Sequence, residues 1–172
     1  MELFHIALPI AFALHDIEEI AVAPRWMTTN SNRLAAKFPR LRPIIDHLLR
    51  LDTRAFTIAA AEEFLIIVGV TLCCYADLPY AAEAWTALFL AFAIHLVVHV
   101  AQAGITRGYV PGIITSVLQL PAVGYIFIRL AQTHDATTLI PLTIVGLTFA
   151  AVNLLLSHKI GIAISTRFDN RR

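Results

Sequence analysis

Five long apolar runs separated by short polar breaks organise the chain. A bilayer core of about 30 Å is crossed by about 20 predominantly apolar residues in a helix. The runs at 3–23, 55–76, 82–103, 110–130 and 139–160 meet that length. Helix rather than strand follows from the length of the runs, and from the need of every backbone polar group in lipid for an internal partner. The breaks Asp77-Leu78-Pro79-Tyr80, Gly104–Tyr109 and Gln132–Thr138 are short, so consecutive spans are antiparallel neighbours. The pattern predicts an all-α fold: an integral membrane bundle of five transmembrane helices forming a single domain over residues 1–172.

Two segments need separate reading. Ala21-Val22-Ala23 looks like a small-residue cleavage site, but a secretory signal needs a basic start and a clean apolar core. Here the start carries Glu2 and no Lys or Arg, and His15–Glu19 interrupts the core, so the first run is read as a retained span. The connection 24–54 holds Pro39 and Pro43, and then Ile44, Ile45, Leu48, Leu49 and Leu51 interleaved with Asp46, His47, Arg50 and Asp52. That is an amphipathic helix, either an interfacial anchor beside anionic lipid or a lid over a membrane-level site.

Composition agrees with the pattern. The chain is 58% apolar and 15% charged, against about 45–50% and about 25% in soluble domains. Disorder, a coiled coil, a disulfide scaffold and a nucleic-acid module are excluded, the last also by a net charge of only +1. The adjacent Cys73 and Cys74 read as small core residues rather than a bridge. The basic residues carry topology. Arg25, Arg33, Lys37, Arg40, Arg42, Arg50, Arg54, Arg107, Lys159, Arg167, Arg171 and Arg172 fall on one side of a five-span chain, and only Arg129 falls on the other. The positive-inside rule makes the crowded side cytoplasmic. The N-terminus is then outside, the C-terminus is inside, and the connection 24–54 is cytoplasmic. The expected location is the cell inner (plasma) membrane, multi-pass.

The candidate chemistry lies in residues that do not belong in lipid. A charged side chain at the bilayer centre costs about 2.5–3.5 kcal/mol on the insertion scale and marks a functional candidate. Span one holds His15, Asp16, Glu18 and Glu19; span two holds Glu62 and Glu63. Span three holds His95, His99 and Gln102; span four holds Thr115, Ser116 and Gln119; span five holds Asn153, Ser157 and His158. Counted from their ends, all five clusters fall at one depth, in the cytoplasmic half. Helical spacing puts His15, Glu18 and Glu19 on one face, and likewise His95, His99 and Gln102.

Imidazoles and carboxylates converging from several helices are ligands for Zn, Fe or Mn. The expected metal ligands are His15, Glu19, Glu62, His95, His99 and His158, for one or two divalent ions. Glu18 and Glu63 are the candidate general bases, and Gln102, Gln119 and Asn153 the supporting hydrogen-bonding groups. His5, His47 and His134 read as solvated or interfacial.

His15-Asp16-Ile17-Glu18-Glu19 reads H-x-x-E-E. In the first span of a small apolar chain it resembles the HXXEE family of bacterial integral membrane proteins, whose function is unassigned. The later Glu pair, the His pair, Pro111-Gly112 and the segment 153–158 extend the resemblance over most of the chain. It implies a multi-span protein whose motif residues are His15, Glu18 and Glu19, with an Asn-and-His element at Asn153 and His158. Histidine-box desaturases match only at His95-x-x-x-His99, and glutamate-type intramembrane proteases fail where Ile67 stands in place of Arg. No H-E-x-x-H motif occurs.

The leading expectation is a membrane-embedded metal-dependent enzyme, a hydrolase or oxidoreductase, acting on a lipid or other apolar substrate with no nucleic-acid partner. The alternatives are a proton or metal-ion transporter, and a structural protein whose intramembrane Glu and His pair across helices.

Overall fold

A computed structural model describes residues 2–170. It is helical throughout, with no strand among the described residues. The helices are α1 (Glu2–His5), α2 (Ala7–Lys37), α3 (Arg42–Leu48), α4 (Thr53–Tyr75), α5 (Ala81–Thr106), α6 (Ile113–Thr133) and α7 (Ala136–Asp169), with a 3-10 turn at Pro39–Leu41. Four of them, α4 to α7, are long and apolar enough to cross a membrane. The remaining long helix, α2, has the length, but its His15–Glu19 stretch is polar.

Two boundaries differ from the sequence pattern. The first run continues as helix to Lys37 instead of ending near Ala23, with Pro24 inside it. A proline forfeits one backbone N–H bond, but the next turn is supported by side chains. Thr28 and Thr29 donate to the Arg25 carbonyl at 2.8 and 3.0 Å, and Asn30 donates to that of Trp26 at 2.9 Å. The connection is therefore largely an extension of α2 followed by the short α3. α3 buries Ile45 and is followed by the buried Leu51. At the other end of the chain, α7 runs to Asp169, nine residues past the expected end. At about 1.5 Å per residue, α2 and α7 are roughly 46 and 51 Å long, so both exceed a bilayer core.

Contacts between chain-distant residues orient the bundle. Near one end, the Trp85 indole donates to the His5 carbonyl, His5 meets Tyr75, and Phe4 meets Tyr125. Near the other, Lys37 donates to the Ile105 carbonyl, Arg54 pairs with Asp169, and Ser165 donates to Asp52. α2, α5 and α7 thus run one way and α4 and α6 the other. The second end gathers the Lys and Arg side chains from Arg25 to Arg54, with Arg107, Lys159 and Arg167, while Arg129 lies toward the first. Arg171 and Arg172, assigned to the same side from sequence, lie outside the described residues.

A core of Leu8, Phe12, Ile67, Trp85, Phe89, Leu96, Val123 and Ile126 fills the bundle between the site and the first end. α7 packs only on α4 and α5 among its main contacts. Close helix approach needs small residues, and α7 supplies two glycines. A Cβ at Gly146 would overlap the Ala87 carbonyl of α5, and one at Gly161 the Ala55 carbonyl of α4.

Candidate metal centre

His15 and Glu19 are four residues apart on α2, and His95 and His99 are four apart on α5, so each pair shares a helix face. The two faces meet. His15 Nε2 lies 3.1 Å from His95 Nε2, which lies 2.9 Å from His99 Nε2. Glu19 Oε1 is 3.3 Å from His99 Nε2. All four ligand atoms lie within 4.8 Å of one another, and the group can hold a metal ion. Three of the six pairs thus lie at 2.9–3.3 Å, near the spacing of about 3.3 Å between ligand atoms that share a small divalent ion, and the others reach at most 4.8 Å.

Hydrogen bonding alone does not satisfy the group. The Thr115 hydroxyl donates to Glu18 Oε2 at 2.7 Å, leaving its oxygen to accept from His15 Nδ1 at 3.0 Å. That assigns the His15 proton to Nδ1 and leaves Nε2 a bare lone pair facing the cluster. His95 Nε2 can donate one proton at most, yet it faces two imidazole nitrogens. One N–H cannot point at both neighbours, and with His15 Nε2 bare, neutral rings leave at least one of the two contacts without a directed hydrogen bond. A cation among the nitrogens removes the conflict, and three imidazoles with a carboxylate are a donor set for Zn, Fe or Mn.

Glu18 has both oxygens engaged. It accepts from the Ile114 and Thr115 backbone N–H groups at 3.3 and 2.8 Å, from the Thr115 hydroxyl, and from Tyr109 at 2.9 Å. Gly112, at the N-cap of α6, has no side chain to offer, so Glu18 caps that helix from α2. Its charge complements the positive helix end. Desolvation first, and then the bond to Glu18, push the Tyr109 phenol up to about 12, so it is a donor at neutral pH. Gly112 itself sits at φ +81°, against both rings: a Cβ there would lie 2.8 Å from His15 Cε1 and 2.9 Å from His99 Cε1.

A cavity of about 290 Å³ adjoins the centre, bounded by α2, α4, α5 and α7. Its walls are mainly apolar, with Phe12, Phe92, Ala59, Ala91 and Ile67 among them. Glu19 and His95 belong both to the metal-binding group and to this wall, and Asp16 and Glu63 join them there. His15 and His99 are buried, whereas His95 is exposed.

The other expected site residues lie apart from the four. Glu62 accepts from Asn153 at 3.0 Å, and Glu63 accepts from Ser157 at 2.7 Å, both ties between α4 and α7. His158 lies 3.3 Å from His47, ring against ring, at the far side of the cavity. His47 is therefore half-buried against α7 instead of solvated. Gln119 donates to the Ala11 carbonyl at 3.0 Å, and Gln102 is exposed. From sequence, Thr115 is one of the polar residues of span four and Gly112 carries part of the family resemblance, whereas Tyr109 is not among the candidates. The local signal is the Pro111-Gly112 dipeptide, which marks a turn ahead of the next apolar run.

A family model described as "Protein of unknown function with HXXEE motif" matches residues 6–127. The match takes in the four residues of the centre, Glu18 and Gly112, and stops before α7, so Asn153 and His158 lie beyond it. No curated protein and no solved structure matches the chain.

Proposed function

The chain belongs to the HXXEE family, and from that premise we propose that it is a membrane-embedded metal-dependent enzyme acting on a lipid or other apolar molecule. One observation carries the reading: three imidazole Nε2 atoms and a carboxylate converge on the wall of an apolar cavity. A divalent ion held there would supply Lewis-acid polarisation to a substrate oxygen that joins the four side chains or displaces one of them. The chain's own residues do the rest. Thr115 holds His15 with its Nε2 lone pair toward the centre. Glu63, steadied through Oε1 by Ser157, is the group in the cavity that takes a proton from a reacting hydroxyl or water. Phe12, Phe92 and their apolar neighbours keep bulk water from the cavity. The centre takes one ion, since Glu62, Glu63 and His158 are placed outside the four.

The membrane setting in this reading has α2 as a fifth crossing helix and the basic end of the bundle facing the cytoplasm across the inner membrane. A transporter would need a polar path past the site to the opposite end. The side chains there, Leu8, Trp85, Phe89 and Ile126, are apolar and buried.

Elemental analysis of the purified protein tests the proposal. We expect about one Zn, Fe or Mn per chain, lost in His15→Ala and in His99→Ala while both variants stay folded. Wild-type protein free of all three metals after purification from supplemented medium would refute it.

A further inference from the structure

The cavity beside the centre opens through the side of the bundle. α7 touches α5 at Gly146–Ala87 and then leaves it to meet α4 at Gly161–Ala55. The two contacts are 15 residues apart on α7, about 22 Å of helix. Between them, residues that line the cavity are also exposed: Ile94 and Val98 on α5, at 36% and 42%, and Phe149 and Leu154 on α7, at 44% and 43%. His95, one turn from Val98, is exposed in the same gap. Both sides of the gap lie within helices apolar enough to cross a membrane, so in the membrane setting proposed above it faces the bilayer.

The charges of the wall are one-sided. Asp16, Glu19 and Glu63 line the cavity, and no Lys or Arg does among the described residues. An anionic end brought there would be buried with no Lys or Arg to pair with it, which is strongly disfavoured. At about 290 Å³ the cavity holds about ten groups the size of a water molecule. That is room for one short alkyl chain and too little to enclose both chains of a phospholipid.

We infer that the substrate is a single-chain amphiphile with an uncharged or cationic polar end, which enters sideways from the bilayer between α5 and α7 and brings that end to His95 and Glu19. The inference rests on the reading of the site as one that acts on a membrane-resident molecule.

Photolabelling separates the possibilities. Purified protein in lipid nanodiscs is irradiated with decylamine, decanol or decanoate, each carrying a mid-chain diazirine, and the labelled peptides are mapped. The amine and the alcohol are expected to label 94–98 and 149–154 at least about tenfold more than decanoate does. Ala91→Phe, which fills the cavity from α5, removes that labelling; Ala150→Leu does the same from α7, and melting curves establish that either variant is folded. Equal labelling by decanoate overturns the inference. So does label spread over the outer face of α6, at Leu118 and Tyr125, as heavily as over the two segments. Metal content is measured on the same samples. Metal-free protein that keeps the amine and alcohol preference loses the metal proposal and keeps this one, whereas metal-loaded protein without the preference loses only this one.

Discussion

Replacing Gly112 with Ala should damage both the stability of the bundle and the geometry of the centre. The backbone at Gly112 has φ +81°, where an L side chain costs about 1–2 kcal/mol. The added methyl would lie 2.8 Å from His15 Cε1 and 2.9 Å from His99 Cε1. Ordinary carbon contacts are about 3.5–4.0 Å, so the overlap is about 0.6–1.2 Å against each ring. Neither ring can retreat: His15 is 0% and His99 6% exposed. Overpacking of this kind costs about 1–3 kcal/mol. The sum is about 2–5 kcal/mol, which at about 2–4 °C per kcal/mol for a chain of this size lowers the melting temperature by about 4–20 °C. Any relief pushes the two imidazoles apart and widens the spacing of their Nε2 atoms, so metal content should fall as well. The control is Gly124→Ala, inside α6 with nothing near its Cβ; it should be neutral, or stabilising by up to about 1 kcal/mol. Thermal melting in detergent and elemental analysis of the three proteins read the result. A Gly112→Ala protein that melts within about 2 °C of wild type with unchanged metal content would refute the argument.

Further outcomes follow from other contacts. Thr115→Val removes the acceptor of the His15 Nδ1 proton and should weaken metal binding about 10–100-fold in a chelator competition. Thr115→Ser should restore it, and equal affinity in the Val variant would show that His15 is held by something else. Gly146→Ala forces a methyl into the Ala87 carbonyl and should cost about 1–3 kcal/mol by thermal melting; an unshifted melt would mean the two helices are not in contact there. Asp52 caps α4: hydrogen bonds from the Ala55 N–H and the Ser165 hydroxyl hold its carboxyl below the usual carboxylate range. A depressed folded-state value gives stabilisation that is present above the unfolded carboxylate range and lost as pH falls through the folded value. Asp52→Asn should therefore flatten the acid limb of a stability–pH curve, and Asp52→Ala should cost about 1 kcal/mol at neutral pH. An acid limb in Asp52→Asn identical to that of wild type would sink the assignment.

The centre was partly legible because two of its features are local. The four-residue spacings His15–Glu19 and His95–His99 place each pair on one helix face, and run length alone located the apolar helices. Depth in the membrane was also readable, but depth is a single coordinate. It placed Glu62, Glu63, Asn153 and His158 level with the centre and said nothing about how each helix is turned about its axis. That rotation sends Glu62 to Asn153 and His158 to His47. It is set by close approaches such as Gly146 on Ala87, which pair residues far apart in the chain. The capping of α6 by Glu18 was hidden for the same reason, since the partners are 97 residues apart. The length of α2 was misjudged locally. Pro24 and the polar residues after it read as a helix end, while the helix continues and Thr28, Thr29 and Asn30 fold their side chains back onto its own carbonyls, those of Arg25 and Trp26, in the turn after the proline.

The distance along the chain between partners in the centre sets a timetable for biosynthesis. His15 meets His95 across 80 residues and Thr115 across 100. At about 5–20 residues per second, the ribosome delivers these partners about 4–20 s after His15 has been made. For that interval the motif of α2 has carboxyl and imidazole groups without the side chains that later satisfy them, and the hydrocarbon interior offers no substitute. In the membrane setting proposed above, α2 therefore does not settle into lipid before its partners arrive: its final placement waits on α5 and α6, and its insertion and the assembly of the centre become one event.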